Sequence, residues 1–199
     1  MERSPLRTGS DRGVTRRTVL ALSALAGTTA VAGCLGNDED DLPEPITIEA
    51  GRICDNCTMD IVEYPGPVGQ SFYADPEALL GNGEDRPAQF CSSLCTYAFR
   101  FEHEDDLEPD VVYLTDYSTV DYEIDTSGDE PEISSHVEAG DFGQADALTL
   151  IADSEVEGAM GASIIGFSDA DDAAAFEADY GGDSYEHDEV TRELIMSLM

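Results

Sequence analysis

Two cysteine pairs constrain this chain more than any other feature. Cys54-Asp55-Asn56-Cys57-Thr58-Met59 is followed by Phe90-Cys91-Ser92-Ser93-Leu94-Cys95, and the one remaining cysteine, Cys34, stands apart upstream. Three arrangements fit that spacing. A C-x2-C followed by a C-x3-C suits a tetrahedral four-cysteine zinc knuckle. Two disulfides suit a domain that lies outside the membrane, where oxidation is normal. The third is copper(I), held by some of the thiolates together with Met59, since thiolate and thioether are soft donors and zinc prefers His, Cys or carboxylate to a thioether. Only this last arrangement gives Met59 a role beyond filling core space.

The N-terminal residues read as a delivery signal. Arg16-Arg17 precedes an apolar run, Thr18 to Ala32, which ends at Val31-Ala32-Gly33-Cys34. The run is too short and too rich in Ala, Gly and Thr for a transmembrane span. A twin arginine directs export of folded precursors, and the small residues before Cys34 resemble a lipobox. Residues 1–33 are therefore expected to be removed, Cys34 to be lipidated, and 34–45, with its run of acids, to act as a tether. These features place the chain on the extracytoplasmic face of the cell membrane.

Without residues 1–33, which carry five Arg and two acids, the chain has four Arg against forty-two Asp and Glu, a net charge of −38, and lysine is absent throughout. Such a surface repels nucleic acid and anionic lipid. It also repels itself unless salt screens it; the Debye length falls from about 10 Å at 0.1 M to about 3 Å at 1 M. A halophile's solvation strategy accounts for the composition, so individual carboxylates are weak guides to function. No Ser/His/Asp set, phosphate-binding glycine loop or paired-acid site stands out, and a non-enzyme is expected.

The rest, 46–199, reads as an α+β domain. Strands are expected at Ile46 to Glu49, Gln70 to Ala74, Arg86 to Phe90 and Asp110 to Asp116, with a helix from Ser92 or Ser93 onward. A similar rhythm follows without cysteines: a strand at Ala147 to Ile151, a polar loop from Asp153 to Met160, and a strand from Ala162 to Phe167. A helix capped by Ser168 then runs to Tyr180 and ends at Gly181-Gly182. A last amphipathic helix covers Val190 to Met199. Aligning Phe90-Cys91 with Phe167-Ser168 superposes Ala98-Phe99 on Ala175-Phe176, which suggests two similar strand–helix (ββαβ-like) lobes, 46–120 and 121–199, and an internal duplication.

Taken together, Cys-x-x-Cys-x-Met at 54–59, Phe-Cys-Ser-x-x-Cys at 90–95 with Tyr97 two residues on, and Val-Tyr-Leu-Thr-Asp-Tyr at 112–117 resemble the NosL family of nitrous oxide reductase accessory lipoproteins. Ala159-Met160-Gly161, Gly166-Phe167, the Asp- and Ala-rich helix and Gly181-Gly182 extend the resemblance over most of 50–195. It implies a membrane-anchored copper(I) chaperone whose partners are nitrous oxide reductase and its maturation transporter. Cys57 and Met59 match the family's usual C-G-M and are the first expected copper ligands, with Cys54 next. Cys91 and Cys95 are expected as ligands, a disulfide or structural support, and Met160 as part of the site or of a docking face. Thr58 stands where the family usually has Gly; if that position needs φ > 0, the local loop is strained or different. His103, His136 and His187 are expected to be exposed, with His103, nearest in sequence to the second cysteine pair, as a further candidate ligand. The rival readings are an interaction module stabilised by zinc or disulfides, and a thiol oxidoreductase using Cys54 and Cys57. The latter lacks the helix N-terminus that activates such a thiolate.

Overall fold

The computed structural model describes residues 42–81 and 83–199. The expected signal at 1–33, the lipidated Cys34 and all but the last residues of the tether lie outside the described residues. So does Asn82. The fold is α+β, as expected.

The first sheet has the order β2-β1-β3-β6: β1 (Gly69–Phe72), β2 (Ala88–Phe90), β3 (Val111–Thr115) and β6 (Phe142–Gln144), all antiparallel. β1, β2 and β3 are almost wholly buried, so none shows strict alternation; β3 reads as a continuous apolar run, whereas β1 and β2 bury Gln70, Ser71 and Gln89. A helix the sequence reading missed, α1 (Pro76–Leu80), links β1 to β2. Asp75 caps it by accepting from the Ala78 amide, and Gly81 ends it in the left-handed region. α2 (Ser93–His103) starts where expected. Ser92 is its N-cap, and the Ser92 hydroxyl accepts from the Cys95 amide. Gly69 permits α2 to close on β1, because a Cβ there would collide with Thr96 Oγ1.

The second sheet runs β4-β5-β7-β8: β4 (Ile124–Asp125), β5 (Glu132–Ile133), β7 (Thr149–Gly158) and β8 (Gly161–Phe167). β9 (Asp183–Tyr185) also pairs with β7, and only the β5–β7 step is parallel. α3 (Ala170–Tyr180) lies between β8 and β9, and α4 (Arg192–Leu198) follows β9. The two halves share a connectivity. In each, the first strand is central and its flanks are the second strand and the strand after the helix: β2-β1-β3 around α2, and β8-β7-β9 around α3. That is a likeness of topology and does not by itself establish a duplication. β6, from 142–144, lies on the first sheet, so the chain returns to it before building most of the second.

The sheets are stitched together at Asp116. It bridges to Gly166, and its Oδ1 accepts from the amides of Ser118 and Ser168. One apolar cluster joins α2, β3, β7, β8 and α4 through Leu94, Tyr97, Leu114, Leu150, Ile164 and Ile195. A second contains Cys54, Cys91 and Cys95 together with Ile48, Ile61, Val68, Phe90 and Phe99. A third packs α3 on its sheet through Ile151, Ile165, Phe167 and Phe176.

Several expectations need correction. Residues 46–49 form no strand; Ile48 is buried, but its backbone makes one ladder-like bond, to the Val137 carbonyl. Asp153 to Gly158 is not loop but the far half of β7. A register shift between Ala152 and Glu157, with Asp153 at φ +58, interrupts the strand, and the acids hid an alternation that puts Val156 in the core. α3 is capped by Asp169, one residue later than Ser168. α4 starts at Arg192, after its N-cap Thr191.

Candidate metal centre

The two cysteine segments meet through the backbone before any side chain is considered. Ile53 and Asp60 form an isolated bridge that closes residues 54–59 into a tight loop. Inside it, the Cys54 amide donates to the Met59 carbonyl and the Thr58 amide to the Cys54 carbonyl. Closing so short a loop forces Thr58 to φ +67, the conformation suspected from its family position. Asp55 then fastens the loop to β2. Its amide donates to the Gln89 carbonyl, its carboxylate accepts from the Gln89 amide, and Arg86 grips both carboxylate oxygens at 2.6 and 2.8 Å. Since Gln89 lies two residues before Cys91, this clamp sets one cysteine pair against the other.

The result is a cluster of four free thiols, Cys54, Cys57, Cys91 and Cys95, with all sulfurs within 4.8 Å of one another. Cys57 Sγ lies 3.3 Å from Cys91 Sγ, and Cys91 Sγ 3.9 Å from Cys95 Sγ. Cys54, Cys91 and Cys95 are 1%, 0% and 2% exposed, while Cys57 is only half-buried. Cys91 precedes the N-cap of α2 and Cys95 lies in its first turn, where the positive end of the helix favours a thiolate. Hydrogen bonds from Cys91 and Cys95 hold Cys54 well below the ordinary thiol value. The same bonds push Cys91 and Cys95 up, because a thiol donating to a thiolate keeps its proton. The cluster thus accepts one negative charge readily and resists the next, an imbalance that a bound cation removes.

Beside the cluster is a cavity of about 170 Å³ lined by Asn56, Cys57, Leu94, Cys95, Ala98, Met160 and Met199. Met160 comes from the β7–β8 turn and is 38% exposed. Of the sequence candidates, the fold therefore gathers the four cysteines and brings Met160 to Cys57 and Cys95. Met59 is half-buried against the apolar cluster that contains Cys54, Cys91 and Cys95, and does not line this cavity. His103 lies two turns past Cys95 on α2, about 12 Å along the axis, with its ring against Phe99 and beside a different cavity.

The histidines are not exposed as expected; all three are half-buried. His136 bonds the Ser134 hydroxyl, and His187 sits between the Tyr97 hydroxyl at 2.9 Å and Arg100 at 3.0 Å. Sequence reasoning also missed Asp55 and Arg86. The only sequence signal for Asp55 is its place inside the C-x-x-C, and it was discounted with the other acids.

A family model described as NosL matches residues 45–195. Among curated proteins, nothing matches. The structure is similar to the crystal structure of the copper chaperone NosL from Shewanella denitrificans, at 26% identity and a TM-score of 0.61, over 76% of this chain and 99% of that one. The solution structure of the apo-NosL protein from Achromobacter cycloclastes matches at 22% identity and a TM-score of 0.38, over 64% of this chain and 87% of that one.

Proposed function

The chain belongs to the NosL family, and on that premise we propose that it is a copper(I) metallochaperone that assists copper-site assembly in nitrous oxide reductase. One observation carries the metal assignment: four free cysteines converge beside a cavity that also receives the thioether of Met160. Thiolate with thioether selects copper(I) among the biological metals. The chaperone role follows from access. Cys57 and Met160 stand at the open side of the cluster, so a cuprous ion held there can be passed on by ligand exchange without unfolding the core. Copper is cargo in this reading, and each thiol that ligates it releases its proton to solvent.

The cavity ranks the candidates. Cys57 and Met160 are the primary ligands, Cys95 supplies the floor, and Cys54 and Cys91 complete the sulfur set; Met59 anchors the loop that presents Cys57. Residues 1–33 form the twin-arginine signal, Cys34 carries the lipid, and 34–45 tethers the domain to the outer face of the membrane, near nitrous oxide reductase and its maturation transporter.

A second reading has its own support. Four cysteines around one point also suit zinc, whose tetrahedral thiolate site places sulfurs roughly 3.8 Å apart for a Zn–S bond near 2.3 Å. Anaerobic titration of the reduced protein with copper(I) against a chromophoric chelator separates the two. Cys57→Ala should lower copper(I) affinity at least tenfold. Failure of the parent protein to compete for cuprous ions, with zinc found by elemental analysis, would reject the chaperone reading.

A further inference from the structure

We propose that the sulfur donors form two adjacent cuprous positions: an inner one of Cys54, Cys91 and Cys95, and an outer one built by Cys57, Met160 and Met199. The proposal rests on the copper(I) reading above and deepens it. Copper(I) is satisfied by few sulfur ligands, yet four thiols and the thioethers of Met160 and Met199 gather at this corner of the molecule, with Met59 packed against the buried cysteines. They divide by access. Three thiols are 2% exposed or less, whereas Cys57 is half-buried and Met160 and Met199 are 38% and 75% exposed.

They divide by space as well. The inner sulfurs belong to a cluster no more than 4.8 Å across, which leaves little room beyond one ion. The cavity of about 170 Å³ adjoins it at Cys95, which forms the floor, with Cys57 and both methionines on the walls. Met160 arrives from the β7–β8 turn and Met199 from the residue after α4, elements remote in sequence from the cysteine loops. Large apolar side chains left exposed on so acidic a chain call for an explanation, and two of them, Met160 and Met199, converge on a cavity that Cys57 and Cys95 also line. Cys57 belongs to both groups, 3.3 Å from Cys91 on its inner side, so its thiolate can bridge the two positions. Copper enters and leaves as Cu(I), no electron is exchanged, and only thiol protons are displaced. The inner ion is stored and the outer one is exchanged.

Native mass spectrometry of the reduced chain, combined with a chelator-buffered copper(I) titration, should show two bound coppers. The double variant Met160→Leu with Met199→Leu keeps apolar bulk at the surface and should lose the outer copper, with at least a tenfold drop in affinity, while retaining the inner one. Met196→Leu, on the exposed face of α4 and not among the cavity residues, should keep both. Cys54→Ser should spare the outer copper.

Saturation at a single copper in the parent protein overturns the two-position proposal and leaves the chaperone reading intact. An unaltered titration in the double methionine variant also overturns it. No copper at all removes both, and one zinc with four protected thiols establishes the rival site.

Discussion

At the scale of single residues, the cost of this site is concentrated at Thr58. A β-branched residue at φ +67 is strained by about 1–2 kcal/mol, and among the described residues its exposed side chain makes no hydrogen bond that would offset this. Thr58→Gly should relieve the strain. After the larger entropy of glycine in the unfolded chain, roughly 0.5–1 kcal/mol of stability should remain, read as a higher denaturant midpoint. A lower midpoint would mean the loop depends on the threonine. Asp55 is the opposite case, an acid that does structural work. Its side chain and that of Arg86 are 11% and 12% exposed, and the pair is bidentate. Asp55→Ala leaves Arg86 and the Gln89 amide short of an acceptor and should cost about 2–3 kcal/mol. It should weaken metal binding too, since the clamp sets Cys57 against Cys91. Unchanged stability and affinity in that variant would show that the clamp is dispensable.

At the scale of elements, α2 links the site to the rest of the fold. Its N-terminus presents Cys95 and its next turn buries Tyr97, whose hydroxyl meets His187 in the 3-10 turn before α4. Arg100 is always a donor, so His187 Nε2 accepts from it and Nδ1 carries the proton toward Tyr97. Burial, then the Arg100 charge, lowers the His187 pKa below 6.5, against the weaker opposing pull of Asp146, Asp188 and Glu108. A base with a depressed folded value is protonated more readily when unfolded. Its contribution to stability is therefore complete above pH 6.5 and is lost as pH falls through the folded value. His187→Phe should flatten the pH dependence of stability in that window relative to the parent, compared at equal salt. Parallel curves would show that His187 is uncoupled from folding. The same elements explain where sequence reading failed. The far half of β7 reads as loop in sequence because Asp153, Glu155 and Glu157 fill its outward positions and mask the inward Val156. α1, β4, β5, β6 and β9 are five residues or fewer, too short for any period to declare itself.

At the scale of the whole molecule, charge dominates. All four arginines among the described residues are paired, Arg52 and Arg86 with Glu84, Arg86 also with Asp55, Arg100 with Glu108 and Arg192 with Glu104. The remaining carboxylates repel one another across the surface, and we propose that the protein is adapted to high salt. Raising potassium chloride from 0.1 M to about 3 M should raise the thermal midpoint, because screening shortens the reach of that repulsion from about 10 Å to below 3 Å. A midpoint that is flat or falls with salt would contradict the adaptation.

The chain's own letters determined the cysteine pairing into two motifs, the soft-donor chemistry, the main strands, α2 and the family, because each is written in local spacing. Which sulfurs share a cavity was decided only in three dimensions. The β7–β8 turn carries Met160, and α4 leads to Met199, both set by packing of the second sheet against α2; no spacing in the sequence records that distance. The tertiary structure likewise singled out Asp55 among forty-four acids, since a carboxylate's task depends on whether an arginine and a buried amide happen to face it.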